Sequence, residues 1–235
     1  MNNVIAIHQP NFFPWLGYFN KIARADVFFF FDDVQFPKKG GAWSNRVKLL
    51  INGEARWTTA AIDRTYSGTR EIREMQFLSG NPWREKTIKS LETNYKRHPY
   101  FPETMDLIEP LISNTESNIA EYNINAVTII SKRLGMDPQK LKRSSEFVTH
   151  SSSNELLCDL TIHAGGNIYM CGGGADGYQD EEVFKQRGLK LQHQAFEHSV
   201  YEQYRQPEFV PGLSIIDAAM NQGWERVSQL INTSQ

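Results

Sequence analysis

Short runs of β-branched and aromatic residues alternate with segments of helical periodicity, and this pattern predicts the order of elements. Residues 4–7 are apolar and are closed by Pro10, which is typical of a buried strand. A helical segment at residues 18–25 separates this run from a second apolar run at residues 27–31. A strand, a short helix and another strand predict a right-handed crossover with both strands in one parallel sheet.

An Asn52-Gly53 dipeptide marks a change in the pattern. It lies between alternating segments at residues 47–51 and 55–60, and this dipeptide is a strong hairpin signal. We expect the hairpin to lie at an edge of the sheet. Further strands are predicted at residues 72–78, 147–148, 168–170 and 189–196, and helices at residues 82–97, 103–112, 118–134, 155–164, 180–187, 215–221 and 224–231.

The resulting order predicts an α/β fold with a mainly parallel sheet flanked by helices and with an antiparallel edge hairpin. The 235 residues fit one domain over residues 1–235 with a helical insertion at residues 82–146, and two small domains are the alternative. Apolar residues make up 40% of the chain and charged residues 22%, so its composition is that of an ordinary globular protein.

Net charge and cysteine content narrow the class of function. A formal net charge of −2 gives no electrostatic reason to expect a nucleic-acid or membrane partner. Cys158 and Cys171 form neither a disulfide framework nor a zinc motif, and no histidine pair has a metal-ligand spacing, so no metal and no cofactor is predicted. The sequence shows no secretion signal and no apolar run of the ~20 residues that span a bilayer, so we expect a cytoplasmic protein.

Polar side chains follow the predicted strands at the points where the strands end. His8 follows the first strand, Asp32 and Asp33 follow the second, Gly172 follows a later one, and His198 lies in the loop after the last. Because the carboxyl ends of parallel strands meet at one edge of a sheet, we expect these groups to converge there. His8 fits a general base or a donor to a phosphate, and a histidine satisfied by backbone groups is the alternative.

Carboxylates and cations near the second strand suggest ligand contacts. Asp32 or Asp33 could bind a sugar hydroxyl, an amine or a divalent ion, and a turn cap is the alternative. Neighbouring strand residues point to opposite sides, so we expect only one of the two to face a ligand. Arg46 could make a two-pronged phosphate contact, whereas Lys38 and Lys39 are weaker candidates because exposed lysines are usually only solvated.

Cys171 and the glycines that follow it allow two interpretations. The turn could present backbone N–H groups to a phosphate or an oxyanion, but it lacks the lysine of a P-loop and the spaced glycines of a dinucleotide motif. Cys171 could be a nucleophile with His198 or His8 as its base. A buried cysteine that acts only as a small hydrophobic residue is the alternative.

The opening residues resemble the start of the WbqC-like proteins. The matching motif comprises His8-Gln9-Pro10-Asn11, Pro14-Trp15, Gly17-Tyr18-Phe19 and Lys21. The similarity continues through Asp26, Asp32-Asp33-Val34-Gln35, Trp43, Asn45-Arg46, Gly172, Ala175, Tyr178, Asp180-Glu181, Phe184, Gln194, Phe196, His198, Tyr201, Gln203 and Leu213-Ser214-Ile215-Ile216-Asp217. Departures at Thr59-Ala60-Ala61, Ser199 and Ala218-Ala219 concern packing more than polar groups.

The resemblance implies a substrate class without specifying a reaction. WbqC-like proteins are associated with bacterial surface-polysaccharide gene clusters, particularly for the O-antigen of lipopolysaccharide, and this implies nucleotide-activated sugars, often amino sugars. We therefore expect a transferase that moves an acyl or aminoacyl group to the amine of a nucleotide-linked amino sugar. Its partners would be this nucleotide sugar and an acyl or aminoacyl donor, and a homo-oligomer is compatible with the sequence.

The site residues are assigned from the strand-end pattern and the resemblance together. The expected catalytic residues are His8, Asp32, Asp33 and His198. The expected substrate-binding residues are Gln9, Asn11, Trp15, Tyr18, Lys21, Gln35, Asn45, Arg46, Cys171, Gly172, Tyr178 and Tyr201. One of the two histidines would take the proton of the attacking amine, and backbone groups of the Gly172 turn would stabilise the oxyanion.

Two other classes of function stay open at this point. The segment from Pro14 to Tyr18 echoes the layout of the histidine-glycine-histidine nucleotidyltransferases, but Trp15 and Tyr18 stand at the histidine positions and neither carries positive charge. The other class is a non-catalytic binding protein of a polysaccharide assembly complex. Binding of a nucleoside triphosphate would favour the first class, and a thermal shift with a partner enzyme but not with small ligands would favour the second.

Overall fold

A parallel sheet of five short strands forms the centre of the fold. The computed structural model describes residues 2–38, 42–172 and 179–233. The strands are β1 (Val4–His8), β2 (Val27–Phe30), β3 (Arg46–Ile51), β4 (Glu54–Thr59), β5 (Leu141–Arg143), β6 (Ile168–Cys171) and β7 (Lys190–His193). The large sheet has the order β5-β2-β1-β6-β7, and each neighbouring pair in it is parallel. The prediction of an α/β fold is confirmed.

Helices cover both faces of the sheet because its central strands are apolar on both sides. The helices are α1 (Leu16–Arg24), α2 (Trp83–Tyr95), α3 (Phe101–Ser113), α4 (Ile119–Arg133), α5 (Ser153–His163), α6 (Glu181–Gln186) and α7 (Ile215–Thr233). On β1, Ala6 packs in the cluster that contains α1, α4 and α7, whereas Ile5 and Ile7 pack in the cluster that contains α5 and α6. Within the described residues, every helix is too short or too polar to cross a membrane.

The last helix contains a kink that joins two predicted segments. Helices were expected at residues 215–221 and 224–231, and α7 runs through both of them. Gly223 between them has a φ of 71°, a left-handed conformation that favours glycine. A Cβ at this position would lie 2.8 Å from Cδ1 of Tyr100, so the close packing of that ring also requires a glycine.

The β3–β4 hairpin corrects one expectation about the sheet. We expected it at an edge of the parallel sheet, and instead it forms a two-stranded sheet of its own. The physical reason is that β3 is held by other elements. The N–H of Leu50 donates to the hydroxyl of Tyr95 at 2.8 Å, and the N–H of Ser214 donates to the carbonyl of Lys48 at 2.9 Å.

Two short strands were predicted at the wrong places. Residues 72–78 hold a 3-10 turn at Ile72–Glu74 and only isolated bridges, because a reciprocal capping box between Glu71 and Glu74 stabilises the turn. The strand expected at residues 147–148 is β5 instead. Its sequence, Leu-Lys-Arg, carries little apolar signal because an edge strand pairs on one side only. The last strand, expected at residues 189–196, ends at His193.

Candidate functional site

A cleft of about 320 Å³ opens at the carboxyl edge of the parallel sheet. His8 at the end of β1, Phe31 just after β2 and Gly172 just after β6 line it. Lys21 of α1 reaches it as well. Parallel α/β sheets bind ligands at this edge, outside the carboxyl ends of their strands. The cleft is therefore the candidate functional site.

His8 is held as a neutral imidazole with a defined proton position. Its Nδ1 lies 3.3 Å from the carbonyl oxygen of Gln9, and its ring meets that of Tyr18 edge-on at 4.9 Å between centroids. A carbonyl oxygen can only accept, so Nδ1 carries the proton and Nε2 is the acceptor. Burial and then the nearby Lys21 cation hold the pKa of His8 well below its usual 6.5.

Lys21 is a buried amine beside this histidine. Lys21 is only 2% exposed, and its Nζ donates to the carbonyl of Ile7 at 2.9 Å. Burial lowers the pKa of Lys21 to about 8, with a partly opposing effect of Cys171. The ammonium is thus charged at pH 7 but close to its titration. A Cβ at Gly172 would lie 3.9 Å from Nζ, so the backbone just after β6 lies near the amine.

Gln179 contributes a side-chain amide to the lining of the cleft. Its Oε1 is buried and has no hydrogen-bond partner among the described residues. Leaving a buried acceptor unpaired costs roughly 1–3 kcal/mol, so a donor from a ligand would be stabilised there. Phe31, Leu157 and Tyr169 contribute apolar surface to the same cleft. The cleft thus combines a cation, a neutral base and an amide acceptor with an apolar wall.

We expect the imidazole of His8 to stay neutral at about pH 5, where an ordinary histidine is mostly protonated. The unfolded chain takes up a proton below its pKa of 6.5, whereas the folded chain does not. The free energy of unfolding should therefore fall as the pH drops from 6.5 towards the lower folded pKa. Histidine NMR resonances report the titration, and His8→Asn should flatten the acid side of the stability curve. Titration of His8 near pH 6.5 would contradict this expectation.

The opening motif is fixed in place by two clamps. The hydroxyl of Tyr18 donates to the carbonyl of Gln9 at 2.9 Å. The side-chain amide of Asn123 donates to the carbonyls of Pro10 and Ser44, at 3.0 and 2.7 Å. Gln9 lines the cleft, so these bonds position one of its walls. Asn11 is buried next to this clamp, and its Oδ1 has no partner among the described residues.

Asp32 and Asp33 bond to the turn after β5. The carboxylate of Asp32, which is 1% exposed, accepts from the N–H of Ser145 at 3.2 Å and from its hydroxyl at 2.8 Å. Asp33 accepts from the hydroxyl of Ser144 at 2.5 Å. These bonds join the ends of β2 and β5. Such bonds are expected if the two aspartates cap a turn instead of binding a ligand. Neither carboxylate is among the described residues that line the cleft.

Cys171 has a histidine neighbour other than the two that were expected. Its side chain packs with Ile5 and Cys158 on the face of the sheet that α5 and α6 cover. Its Sγ lies 3.4 Å from Nδ1 of His193, the residue that pairs with it across β6 and β7. The histidine beside the thiol is therefore neither His198 nor His8, because residues in register on adjacent parallel strands share a face.

His198 and Trp15 form an aromatic cluster outside the described lining of the cleft. The ring of Trp15 lies 5.1 Å from that of His198 and 5.3 Å from that of Phe196. A Cβ at Gly17 would lie 2.4 Å from the Trp15 ring, so the glycine allows the ring to fold over the start of α1. Burial lowers the pKa of the half-buried His198.

Arg46 begins β3 and Asn45 precedes it, whereas Gln35 forms an isolated bridge with Glu71. The guanidinium of Arg46 lies over the ring of Trp57, 4.1 Å from its centroid. A cation in this position is attracted to the face of the aromatic ring. The amide of Asn45 donates to the carbonyl of Ala60 at 2.9 Å. Gln35 is exposed. None of the three is among the described lining residues of the cleft. Tyr178, together with Lys39 and residues 173–175, lies outside the described residues.

Tyr201 belongs to a buried polar network around Asp217. Asp217 is fully buried, and its carboxylate accepts from the hydroxyls of Tyr201 at 2.7 Å and Tyr95 at 3.0 Å and from the amide of Gln203 at 3.0 Å. Burial raises the pKa of Asp217, and these three donors oppose the rise. The network ties α7, α2 and residues 201–203 together, so the hydroxyl of Tyr201 has a structural partner.

Sequence reasoning missed the apolar and amide walls of the cleft. Gln179 was overlooked although it lies between the glycine turn after β6 and the cap residue of α6, where the strand-end rule directs attention. Leu157 and Tyr169 could not be recognised as cleft residues from the sequence, because apolar residues in a helix or a strand are usually part of the hydrophobic core. Among the described residues no group of three or more His, Cys, Asp or Glu is placed to hold a metal ion.

The fold and the cleft define an α/β protein with a candidate ligand site at the carboxyl edge of its parallel sheet. The WbqC-like protein family model matches residues 9–229, and the chain belongs to this family. The chain is also 30% identical over 224 residues to the uncharacterized protein Rv1507c of Mycobacterium tuberculosis, with 94% of each chain covered. No solved structure matches the chain.

Proposed function

We propose that the cleft transfers an acyl or aminoacyl group to the amine of a nucleotide-linked amino sugar in the cytoplasm. The observation that carries the proposal is the pairing of a buried ammonium, Lys21, with a neutral imidazole, His8, in one cleft. Acyl transfer to an amine develops negative charge on an oxygen and releases a proton from a nitrogen. The two groups match these two requirements.

Each group has one task in the proposed reaction. The amine nitrogen attacks the carbonyl carbon of the donor, and the ammonium of Lys21 stabilises the oxyanion that forms. A nearby oxyanion favours a protonated imidazole, so Nε2 of His8 can then accept the proton of the nitrogen. The bond from carbon to the leaving group breaks as the amide forms, and His8 returns the proton to the leaving group. Gln179 Oε1 would accept a hydrogen bond from the amine and orient it.

The substrate class rests on the family and on the chemistry of the cleft together. WbqC-like proteins are associated with O-antigen and other surface-polysaccharide clusters, where nucleotide-linked amino sugars are substrates. A volume of about 320 Å³ suits a sugar and a short acyl group, so the nucleotide would extend out of the cleft.

The test incubates purified protein with nucleotide-linked amino sugars and a panel of acyl and aminoacyl donors. We expect a product whose mass increases by the acyl group, and no product from the matched nucleotide sugars whose amine is already acetylated. His8→Asn should lower the rate about 10²-fold or more because the proton acceptor is lost. His163→Asn, on the exposed end of α5, is the matched control and should keep wild-type activity. Equal rates for His8→Asn and wild type would overturn the proposal.

A second incubation, with a nucleoside triphosphate and a sugar phosphate, distinguishes nucleotidyl transfer from acyl transfer. That reaction would need positive charge at Trp15 and Tyr18, whereas the hydroxyl of Tyr18 is bonded to the Gln9 carbonyl and Trp15 packs on Phe196 and His198. If the protein releases pyrophosphate from a nucleoside triphosphate and a sugar phosphate, its reaction is nucleotidyl transfer and not acyl transfer.

A further inference from the structure

A second cavity of about 390 Å³ lies away from the sheet edge. Its walls are the turn between β3 and β4, the end of α2 and residues 204–206. It shares no described lining residue with the cleft at His8. It is therefore a separate cavity, and its ligand need not be a substrate of the proposed acyl transfer.

The cavity carries uncompensated positive charge. Lys96, Arg97 and Arg205 line it, and its described lining residues include no Asp or Glu. Within the described residues, none of these three cations forms an ion pair. The guanidinium of Arg205 lies 5.1 Å from the ring centroid of Tyr204, another residue of the cavity wall. Three cations without carboxylate partners favour an anionic ligand.

His98 is the buried polar group of this cavity. It is only 6% exposed, and neither buried ring nitrogen makes a hydrogen bond of normal geometry among the described residues, although the backbone of Tyr95 lies close enough to favour the protonated ring. Its ring lies between those of Tyr95 and Tyr204, at 4.6 and 4.9 Å between centroids. An imidazole always has at least one N–H to donate, and leaving it unpaired is unfavourable. A bound anion would accept this hydrogen bond.

Stabilisation of a helix end explains only part of this arrangement. Lys96 and Arg97 follow the last turn of α2, where cations interact favourably with the helix dipole. The dipole does not explain Arg205, which comes from a different segment and has a left-handed φ of 57°. It also does not explain a buried histidine whose ring nitrogens lack a hydrogen bond of normal geometry among the described residues.

We propose that this cavity binds the phosphate group of a small molecule, with His98 as the buried donor and Lys96, Arg97 and Arg205 as the surrounding cations. A tetrahedral phosphate accepts hydrogen bonds on several sides and can therefore contact all four donors. Burial lowers the pKa of His98, and a bound phosphate would raise it again because an anion favours the protonated ring.

The test is a titration of the full-length protein with inorganic phosphate, followed by histidine NMR and by calorimetry. We expect a saturable shift of the His98 resonance with a Kd of ~1 mM or tighter, while the resonance of His163 stays in place. Acetate at matched ionic strength is the control anion. Ribose 5-phosphate and adenosine monophosphate then distinguish a free phosphate from a phosphate ester, since a tighter Kd for either ester assigns the site to an ester.

Three variants separate binding from folding. Arg205→Gln should weaken phosphate binding about tenfold, as the loss of one charge-assisted hydrogen bond predicts. His98→Phe should abolish binding and leave thermal stability unchanged or higher, because an unpaired polar ring is replaced by an apolar one. Lys132→Gln, an exposed lysine in the last turn of α4, should bind as wild type does. An equal response to acetate, or equal binding by Arg205→Gln and Lys132→Gln, would overturn the proposal.

Discussion

Lys21→Met is expected to lower kcat/KM of the transfer by about 10²–10³-fold while leaving the protein at least as stable as wild type at pH 7. Activity falls because the cation that would stabilise the oxyanion is lost. Stability is kept because a methionine fills a similar volume without a buried charge. Acyl-transfer kinetics and chemical unfolding of the same preparations measure the two effects.

The buried charge of Lys21 makes the free energy of unfolding depend on pH. The pKa of Lys21 is about 8 in the folded protein, against 10.5 for an ordinary lysine. Below pH 8 both states are protonated, and the folded state carries the full cost of the buried charge, on the order of 3 kcal/mol. Between pH 8 and 10.5 this cost is progressively removed, so the Lys21 contribution to the free energy of unfolding rises with pH. Lys21→Met should remove that rise.

The matched control for Lys21→Met is Lys89→Met, which replaces an exposed lysine in the middle of α2. It should change neither the transfer rate nor the pH dependence of stability. A Lys21→Met protein that is several kcal/mol less stable than Lys89→Met would show that the amine holds the fold together. Unchanged transfer by Lys21→Met would remove the amine from the reaction.

Asp217→Ala is expected to lower the free energy of unfolding by about 3–5 kcal/mol. The change leaves the hydroxyls of Tyr95 and Tyr201 and the amide of Gln203 buried without their acceptor. Urea unfolding at pH 7 measures the loss. Because burial raises the pKa of Asp217, its contribution to stability is largest below the ordinary value of 3.8 and falls as the pH rises through the folded pKa.

Two further variants calibrate this loss. Tyr201→Phe removes a single donor and should cost about 1 kcal/mol without changing KM for either substrate. Glu225→Ala, an exposed carboxylate on the same helix, should stay within about 0.5 kcal/mol of wild type. A change in KM for Tyr201→Phe would show that Tyr201 contacts the substrate. An Asp217→Ala protein as stable as Glu225→Ala would show that the network is not a stabilising one.

The sequence allowed the parallel sheet to be predicted because its central strands carry the strongest local pattern. β1 and β2 are runs of apolar, β-branched or aromatic residues, and the Asn52-Gly53 turn gave the hairpin directly. The partner of the hairpin could not be predicted, since it depends on Tyr95 and Ser214, which are distant in sequence. β5 was missed because strand pairing at an edge can stabilise three largely polar residues.

The candidate site could be predicted as a location better than as a set of contacts. His8, Gln9, Lys21 and Gly172 were all chosen by sequence and all line the cleft. Asp32 follows a strand in the same way, yet its carboxylate bonds to Ser145. The strand-end rule gives the edge on which a residue lies, whereas the direction of its side chain depends on which donors the neighbouring turn supplies. His98 directly follows the helix predicted at residues 82–97, and the sequence does not show that its ring is buried.

The position of β1 has a consequence for synthesis of the chain. β1 is translated before the other strands of this sheet, yet it is the middle strand and pairs with β6 through Val4 and Ile168. At ordinary translation rates, roughly 10–30 seconds separate the two strands. During that interval one edge of an apolar strand is unpaired on the ribosome, where it can attract other chains or a chaperone. The cleft at His8 is completed only when β6 and the residues after it have been made, so a ligand can stabilise the chain from that stage onwards but not its earlier intermediates.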